Sequence, residues 1–344
     1  MSFLKYNSTI CEGDTVILYL GHNNMHSIVV TACKVHQTKF GAFPHSDMVG
    51  KQFGSKVFSS NTKGKKGYLF LLHPTPELWT INLPHRTQIL YSTDISMVLM
   101  QLDIKPGAVV MESGTGSASM SHALIRSIAP TGHLYTYEFH EERSKQARKE
   151  FIDHNVDHLV TVTHRNVTAD GFLEENIADA VFLDLPSPWD AIKFSKKALK
   201  REGGRLCSFS PCIEQVQKTC GVMRDNGFRD IQVMECLLKT FDVKTVSYQM
   251  PDFGEKLSEE PTRKRKFEAL ENECCVQMGD STTDVTDSTN RPCNTQPSSQ
   301  ETATNTCSEN FRVDKLDVLT ARPLLESPGH TGFLTFASLF PEVQ

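Results

Sequence analysis

Long apolar runs are missing from this 344-residue chain, and no stretch approaches the length needed to span a bilayer. The opening residues, MSFLKYNSTICEGDTV, lack the basic-then-apolar pattern of a secretory signal. The expectation is a soluble intracellular protein without membrane contacts. Metal-type cysteine spacing is missing as well. Cys207 and Cys212 sit five apart, Cys274 and Cys275 are neighbours, and no CxxC pair occurs among the ten cysteines. A structural zinc site needs clustered ligands, so no metal is expected and the thiols read as reduced. Excess positive charge is absent too, the net being -5. The deficit is local: Glu255 to Ser327 holds 14 acidic and 9 basic residues, leaving 27 of each sign elsewhere. A neutral remainder can still present a basic face to phosphates, so bulk charge neither supports nor excludes RNA.

What is present falls into blocks. In the first seventy or so residues, TVILYL, SIVV and YLFLLH are β-branched and aromatic runs separated by turn formers. They predict a small antiparallel β-domain over residues 1–80. From about Leu83 the chain alternates strand and helix patterns: VVMES, HLYTYE, VTVTH, ADAVFLDL and GGRLCSF as strands, with amphipathic stretches between them. That alternation predicts an α/β domain over residues 81–254, a parallel sheet covered on both faces. Residues 255–327 are rich in Ser, Thr, Asn, Glu and Asp, with Phe267 and Phe311 as their only aromatics. Such a segment cannot bury enough apolar surface to order itself, and reads as a disordered insert. GFLTFASLF beyond it returns to strand texture, and residues 328–344 are expected to supply the last strand of the sheet.

Three motifs carry chemistry. MESGTGSAS, Met111 to Ser119, delivers a strand into a glycine turn that opens a helix. Gly114 and Gly116 can take positive φ and let a ligand approach the backbone. Glu138 closes the next strand, where a carboxylate can accept hydrogen bonds from ribose hydroxyls. This pattern fits a nicotinamide cofactor as well as S-adenosylmethionine. The third glycine of the dinucleotide fingerprint is missing, and Glu112 would repel a pyrophosphate while tolerating a sulfonium, which favours the methyl donor. A ligand-free glycine turn is the plainer alternative.

DLPSPW, Asp184 to Trp189, follows the apolar strand ADAVF and places Asp184 at a strand's carboxyl end, where open α/β sheets bind ligands. A fixed anion there could stabilise positive charge developing on an alkylated base, and Trp189 offers a stacking face. A loop-capping aspartate beside a packing tryptophan is the alternative. PHRTQILYSTD, Pro84 to Asp94, mixes Arg86, Gln88 and Tyr91 as a lid over a nucleoside would, or simply begins an amphipathic helix.

Together ESGTGS, YEFH, DLPSPW, LHPTPELWTINLPHRTQILYSTD and SFSPCIEQVQKTC resemble the catalytic subunits of eukaryotic tRNA (adenine-58-N1)-methyltransferases. The resemblance runs from Met1 to about Phe253 and resumes at GHTGFLTFA. It implies a Rossmann-like methyltransferase domain behind a small N-terminal β-domain, acting on N1 of the T-loop adenine of tRNA. Messenger RNAs of T-loop-like shape are a further candidate substrate that the sequence leaves open. S-adenosyl-L-methionine would be bound by Leu90, Glu112, Gly114, Gly116, Ser117, Ala118, Ser119, Glu138, Arg143, Asn166, Val167 and Asp184. Asp184 would be catalytic. RNA contacts are implied for Leu20, Gly21, His22, Lys39, Phe40, Gly41, His45, Arg86, Gln88, Tyr91, Pro186, Ser187, Ser210 and His330.

Two positions depart from the family pattern. Asn166 stands where an aspartate commonly binds the cofactor's adenine amine, and its amide oxygen is expected to accept that bond instead. Ala118 stands where glycine is common. The resemblance also implies a homologous non-catalytic partner subunit, a dimer of heterodimers, a nuclear setting served by Arg263 to Lys266 (RKRK), and inactivity of this chain alone. A methyltransferase acting on protein or small molecules, and an RNA-binding scaffold without catalysis, are the competing readings.

Overall fold

A computed structural model describes residues 3–4, 6–22, 24–60, 67–84, 86–250, 315–323 and 332–341. Arg263 to Lys266 and His330 lie outside the described residues. The chain divides into a unit of residues 1–239 with 325–344 and a second unit of residues 240–324.

The N-terminal part of the first unit is built from β1 (Thr15–Gly21), β2 (Asn24–Val29), β3 (Val35–Thr38), β4 (Gly41–Pro44), β5 (Lys56–Phe58) and β6 (Tyr68–Leu72). An antiparallel sheet runs in the order β2-β1-β6-β5, and β3 pairs with β4 as a separate hairpin. Strand side chains alternate between faces. Val16 and Leu18 of β1, Leu69 and Leu71 of β6 and Val57 of β5 share the buried face with Phe43 and Met48. Two helices lead out of this sheet. In α1 (Pro76–Asn82) proline occupies the first turn and the Thr75 side chain accepts from Leu78 N, satisfying an end donor that the helix itself cannot. Next comes α2 (Ser92–Gln101).

The rest of the unit alternates strand and helix: β7 (Val109–Ser113), α3 (Ser119–Ile128), β8 (His133–Glu138), α4 (Glu141–Asp153), β9 (Val160–His164), α5 (Val167–Asp170), β10 (Ala180–Asp184), α6 (Pro188–Ala198), β11 (Gly204–Ser210), α7 (Ile213–Asp225) and β12 (Arg229–Met234). The second unit is a ribbon in which β13 (Phe241–Gln249) pairs antiparallel with β14 (Lys315–Pro323). Finally β15 (Phe333–Leu339) inserts antiparallel between β11 and β12. The seven-stranded sheet runs β12-β15-β11-β10-β7-β8-β9, parallel from β11 to β9. This is a Rossmann-like α/β sheet.

Burial on both faces explains the unbroken apolar run AVFL in β10. Ala180 and Phe182 face one core with Val110 of β7, Ile125 and Ile128 of α3 and Phe151 of α4. Val181 and Leu183 face the other with Met111, Ala191 and Ile192 of α6 and Met223 of α7. A strand covered on both sides has no polar face to show. Charged β12 and the ribbon escape the sequence reading for the opposite reason: their residues are largely exposed, so no apolar run marks them. Lys315–Pro323 falls inside the stretch read as a disordered insert, yet it is a strand. The expected boundary near residue 254 also differs from the division of the units at Thr240.

After β7 the chain moves outward through β8 to β9, then crosses back to β10 on the other side of β7. The carboxyl ends of β7 and β10 therefore form a topological switch point, where α/β sheets open a crevice. The crevice depends on a close approach. Gly114 has φ +99, and a Cβ on it would run into the Asp184 carbonyl oxygen. Gly114→Ala must therefore part the two strands or strain the turn. It should lower unfolding stability by about 2 kcal/mol or more; an unchanged denaturant midpoint would show that the strands tolerate the extra carbon.

Candidate active site

Hydroxyl groups and one buried acid hold the glycine turn. The Thr115 hydroxyl meets the Thr136 hydroxyl at 2.6 Å, and Thr136 donates to Glu112 Oε2 at 2.7 Å. Ser121 donates to the same oxygen at 2.6 Å. These bonds tie β7, the turn, β8 and α3 together. Glu112 Oε1 is buried and finds no partner among the described residues. Burial pushes the Glu112 carboxyl up to about 7; the Ser121 and Thr136 bonds oppose this, and the nearby Asp184 and Glu138 charges add to it. The acid thus lies beneath the turn, and it does not line the cleft described below.

The segment leading into α2 pins the turn from the other side. Ser117 Oγ accepts from Arg86 N at 3.0 Å and Thr87 N at 3.1 Å, and Ser119 Oγ donates to the Leu90 carbonyl at 3.0 Å. Gly116 has φ +54, and a Cβ there would press on Thr87 Oγ1. Ala118, buried at the helix start, sits in the left-handed region at φ 61. Glycine would adopt that conformation without the cost of about 1 kcal/mol that alanine carries. A histidine braces the strained residue. Because a carbonyl can only accept, His122 Nδ1 donates to Ala118 O at 2.7 Å, and His122 Nε2 accepts from His154 Nδ1 at 2.8 Å. Burial holds both rings neutral, at about 4 and about 2.

His122, His154 and Glu150 bring potential ligand atoms within 4.8 Å of one another. The Arg86 guanidinium already bonds Glu150 at 2.9 Å, so a metal ion there would have to displace a cation and break the paired imidazoles. The cluster is better explained as a brace for the turn.

A cleft of about 680 Å³ opens over the switch point. Of the residues singled out from sequence it is lined by Gln88, Gly114, Gly116, Glu138, Arg143, Asn166, Val167, Asp184, Pro186 and Ser187. A side recess adds Leu90, Ser117 and Ser119. The other candidates lie elsewhere. Arg86 is committed to Glu150 through a half-buried ion pair and does not line the cleft. Tyr91 is exposed ahead of α2, and Ser210 is buried with no hydroxyl partner among the described residues. Leu20, Gly21, His22, Lys39, Phe40, Gly41 and His45 belong to the strands of the N-terminal part and the turns beside them, and none lines the cleft. His45 is buried, and its Nδ1 accepts from Thr31 N at 3.1 Å.

Trp189 does not line the cleft, and Lys218 Nζ sits 3.9 Å from its ring centre. Phe209, Phe139 and Tyr137 supply the aromatic lining instead. Phe209 stands directly beside Asp184 in the β10–β11 register. The carboxyl-end rule that picked out Asp184 would have found it once the two strands were known to be neighbours.

Glu138 Oε2 accepts from Gly116 N at 2.9 Å and Oε1 from His140 N at 3.0 Å, which fixes the carboxylate at the end of β8. Arg143 stands 3.9 Å from it. No described residue donates to Asp184, whose carboxyl is pushed up to about 7, first by burial and then by the Glu138 charge. Two acids from separate strands thus share one cleft, a setting hostile to phosphate and hospitable to a cation or to hydroxyl donors. Asn166 departs from expectation. As N-cap of α5 its Oδ1 accepts from both Thr168 N at 3.2 Å and Thr168 Oγ1 at 2.7 Å. Both lone pairs are therefore engaged, and the amide N–H group is what remains for a ligand.

The raised acids make stability pH-dependent in a defined direction. Folded Asp184 keeps its proton from 3.8, where an unfolded aspartate loses it, to about 7. Its contribution is complete below that window and is lost as pH rises through it. Asp184→Asn, which cannot ionise, should therefore lose less stability than wild type between about pH 4 and about pH 8. Parallel melting curves for the two proteins across that range would contradict the half-buried, donor-poor placement of Asp184.

A sequence profile for the tRNA methyltransferase complex GCD14 subunit matches residues 67–339. The chain is 42% identical over 343 residues to the tRNA (adenine(58)-N(1))-methyltransferase catalytic subunit trmt61a of Dictyostelium discoideum, spanning 98% of this chain and 99% of that one. It is 44% identical over 250 residues to the corresponding TRM61 subunit of Candida albicans, spanning 71% and 73% of the two chains. Among solved structures it superposes on a SAM-dependent O-methyltransferase from Thermotoga maritima with a TM-score of 0.68 at 23% identity, over 98% and 97% of the chains. It superposes on the tRNA (m1A58) methyltransferase TrmI from Aquifex aeolicus with a TM-score of 0.62 at 20% identity, over 96% and 98%. The structural likenesses establish the fold. With a profile matching most of its length and a relative 42% identical from end to end, the chain belongs to the family of the tRNA methyltransferase complex GCD14 subunit.

Proposed function

We propose that the chain is a catalytic subunit that transfers a methyl group from S-adenosylmethionine to N1 of the T-loop adenine, position 58, of tRNA. What supports this reading is the half-buried Asp184 carboxylate at the end of β10, against the Gly114 turn and beside Glu138, with no donor among the described residues. The residues present fit the cofactor. Gly114 and Gly116 hold the turn at positive φ and expose its backbone to the cleft, Glu138 offers acceptors to ribose hydroxyls, and the Asn166 amide and the Val167 region line the same cleft. When bound, S-adenosylmethionine supplies a methyl group activated by its positive sulfur.

Asp184 accepts a hydrogen bond from the exocyclic amine of adenine and so orients N1. As the ring gains positive charge, the fixed anion stabilises it where little water competes. Neutral adenine has no proton at N1 to remove, so the protein needs no base for the methylation step. Phe209 and Pro186 flank the base. Messenger RNA folded into a T-loop-like shape presents the same adenine and belongs to the same proposal.

Ionised Asp184 is the working form, so kcat/KM for tRNA should fall as pH drops below about 7. Asp184→Ala or Asp184→Asn, assayed with labelled methyl donor, unmodified tRNA and the partner subunit present, should lose about 10²–10³-fold in kcat and lack that acid limb. Transfer that persists in either variant would remove Asp184 from its role; label on protein rather than tRNA would move the substrate to another class.

The partner we propose is a homologous non-catalytic subunit, assembled with this chain as a dimer of heterodimers. The β13–β14 ribbon supports this. An isolated two-stranded ribbon is marginal in water, yet this one exposes Phe241, Val243, Tyr248 and Leu316, with Leu319 72% exposed. The isolated chain should be inactive, and Leu319→Asp should weaken co-purification of the subunits while leaving the melting temperature of the chain alone unchanged. Assembly indifferent to that charge would remove the ribbon from the interface. Nuclear import through Arg263 to Lys266 completes the reading.

A further inference from the structure

The N-terminal sheet shows a second face that no part of the cleft uses. Cross-strand register puts Tyr19 opposite Phe70 on β1 and β6, then Phe70 opposite Lys56 and Tyr68 opposite Phe58 on β6 and β5. Directly opposed residues share a face, so these five side chains form one surface, on the side away from buried Leu18, Leu69, Leu71 and Val57. The rings touch in a chain. Tyr19 and Phe70 lie 6.5 Å apart by centroid, Phe70 and Tyr68 5.9 Å, and Tyr68 and Phe58 6.4 Å. Lys56 Nζ stands 3.6 Å from the Tyr68 ring centre. Nearer α1 the same face is covered: Ile17 is fully buried, and Ser27 Oγ donates to Asn82 O at 3.4 Å. Away from α1 it opens, with Phe58 51% and Tyr68 49% exposed.

Charge tells what this open half is suited to meet. The strands TVILYLG, NMHSIV, VHQT, GAFP, KVF and YLFLL contain no aspartate or glutamate. Residues 1–67 hold eight lysines against three carboxylates, in a chain whose net charge is -5. Two of those carboxylates are already occupied by backbone donors, Asp14 by Cys11 N at 2.8 Å and Glu12 by Ala32 N at 3.0 Å. A second cation–aromatic pair, Lys39 with Phe40 at 5.2 Å, sits on the β3–β4 turn, whose Phe40 backbone abuts Gly67 just before Tyr68.

Lysine is depleted from the cores of protein–protein interfaces. Exposed rings beside lysines, with no acid among them, match instead the stacking surfaces that hold unpaired bases while cations follow the phosphates. We propose that Tyr19, Phe70, Tyr68 and Phe58 with Lys56 form a docking shelf for unpaired nucleobases of the substrate RNA, separate from the base that enters the cleft. Lys56 covers Tyr68 when RNA is absent and turns to a phosphate when a base stacks on the ring. The proposal rests on the tRNA reading given above.

The test uses the complex of this chain with its partner subunit and an unmodified tRNA transcript. Tyr68→Ala should raise KM for tRNA about tenfold, with kcat and S-adenosylmethionine affinity unchanged, and Tyr68→Phe should restore it. Lys56→Ala should lower the slope of log affinity against log salt by about one. Both side chains are exposed, and equal melting temperatures and normal subunit assembly would certify the variants as folded. An unchanged KM in the Tyr68→Ala, Lys56→Ala double variant overturns the shelf, as does a loss confined to subunit assembly, which would make the face a protein contact. Gel-shift binding of the same transcript decides the shelf even if wild type fails to methylate tRNA, a result that would bear on the catalytic reading alone.

Discussion

Backbone crowding at the carboxyl ends of β7 and β10 sets the terms for the rest of the molecule. Gly114 lies against the Asp184 carbonyl with no room for a side chain. That proximity makes the glycine turn and the aspartate parts of one wall, and β8 brings Glu138 to the same place through its bond from Gly116 N. The arrangement is unfavourable when viewed alone. Three acids, Glu112, Glu138 and Asp184, gather in little water, and two of them are pushed up to about 7. Residues held in such surroundings persist only when the structure around them over-determines their positions. Here that role falls to the Thr115–Thr136–Glu112–Ser121 hydroxyl cluster, the Ser117 and Ser119 bonds to the preceding segment, and two apolar cores gripping β7 and β10 from both faces.

The same chain manages charge in opposite ways at two places. Its cleft concentrates carboxylates and leaves one of them without a donor, which suits a ligand carrying positive charge and hydroxyl groups. Its N-terminal strands exclude carboxylates altogether and expose rings with lysines. A net charge of -5 hides this division, because the whole acidic excess belongs to the stretch from Glu255 to Ser327. Bulk charge was therefore a poor guide to partners, and local charge a good one.

What could be read from the sequence follows a physical rule. Features encoded by neighbours along the chain were legible: apolar strands running into Gly114, Glu138 and Asp184 mark their own carboxyl ends. Features made by distant neighbours were not. Arg86 looked free to meet RNA because its partner Glu150 is 64 residues away. Phe209 went unnoticed because its place beside Asp184 depends on β10 and β11 being adjacent. Asn166 was read as an acceptor, while Thr168, two residues on, takes up that oxygen as a helix cap. Trp189 offered a ring whose face Lys218 already covers. The β14 strand was lost in a polar stretch because it pairs with β13 and lies in no apolar core.

We propose that Asp184, half-buried beside Glu138 and without a donor among the described residues, is kept for a ligand that brings positive charge. Calorimetric titration of S-adenosylmethionine and of S-adenosylhomocysteine near pH 7, in buffers of different ionisation enthalpy, tests it most directly. A cation entering beside a carboxyl that titrates at about 7 should expel a proton, and the uncharged homologue should expel much less. Wild type should show that difference, and Asp184→Asn should abolish it. Equal proton release for the two ligands, or none for either, would contradict it.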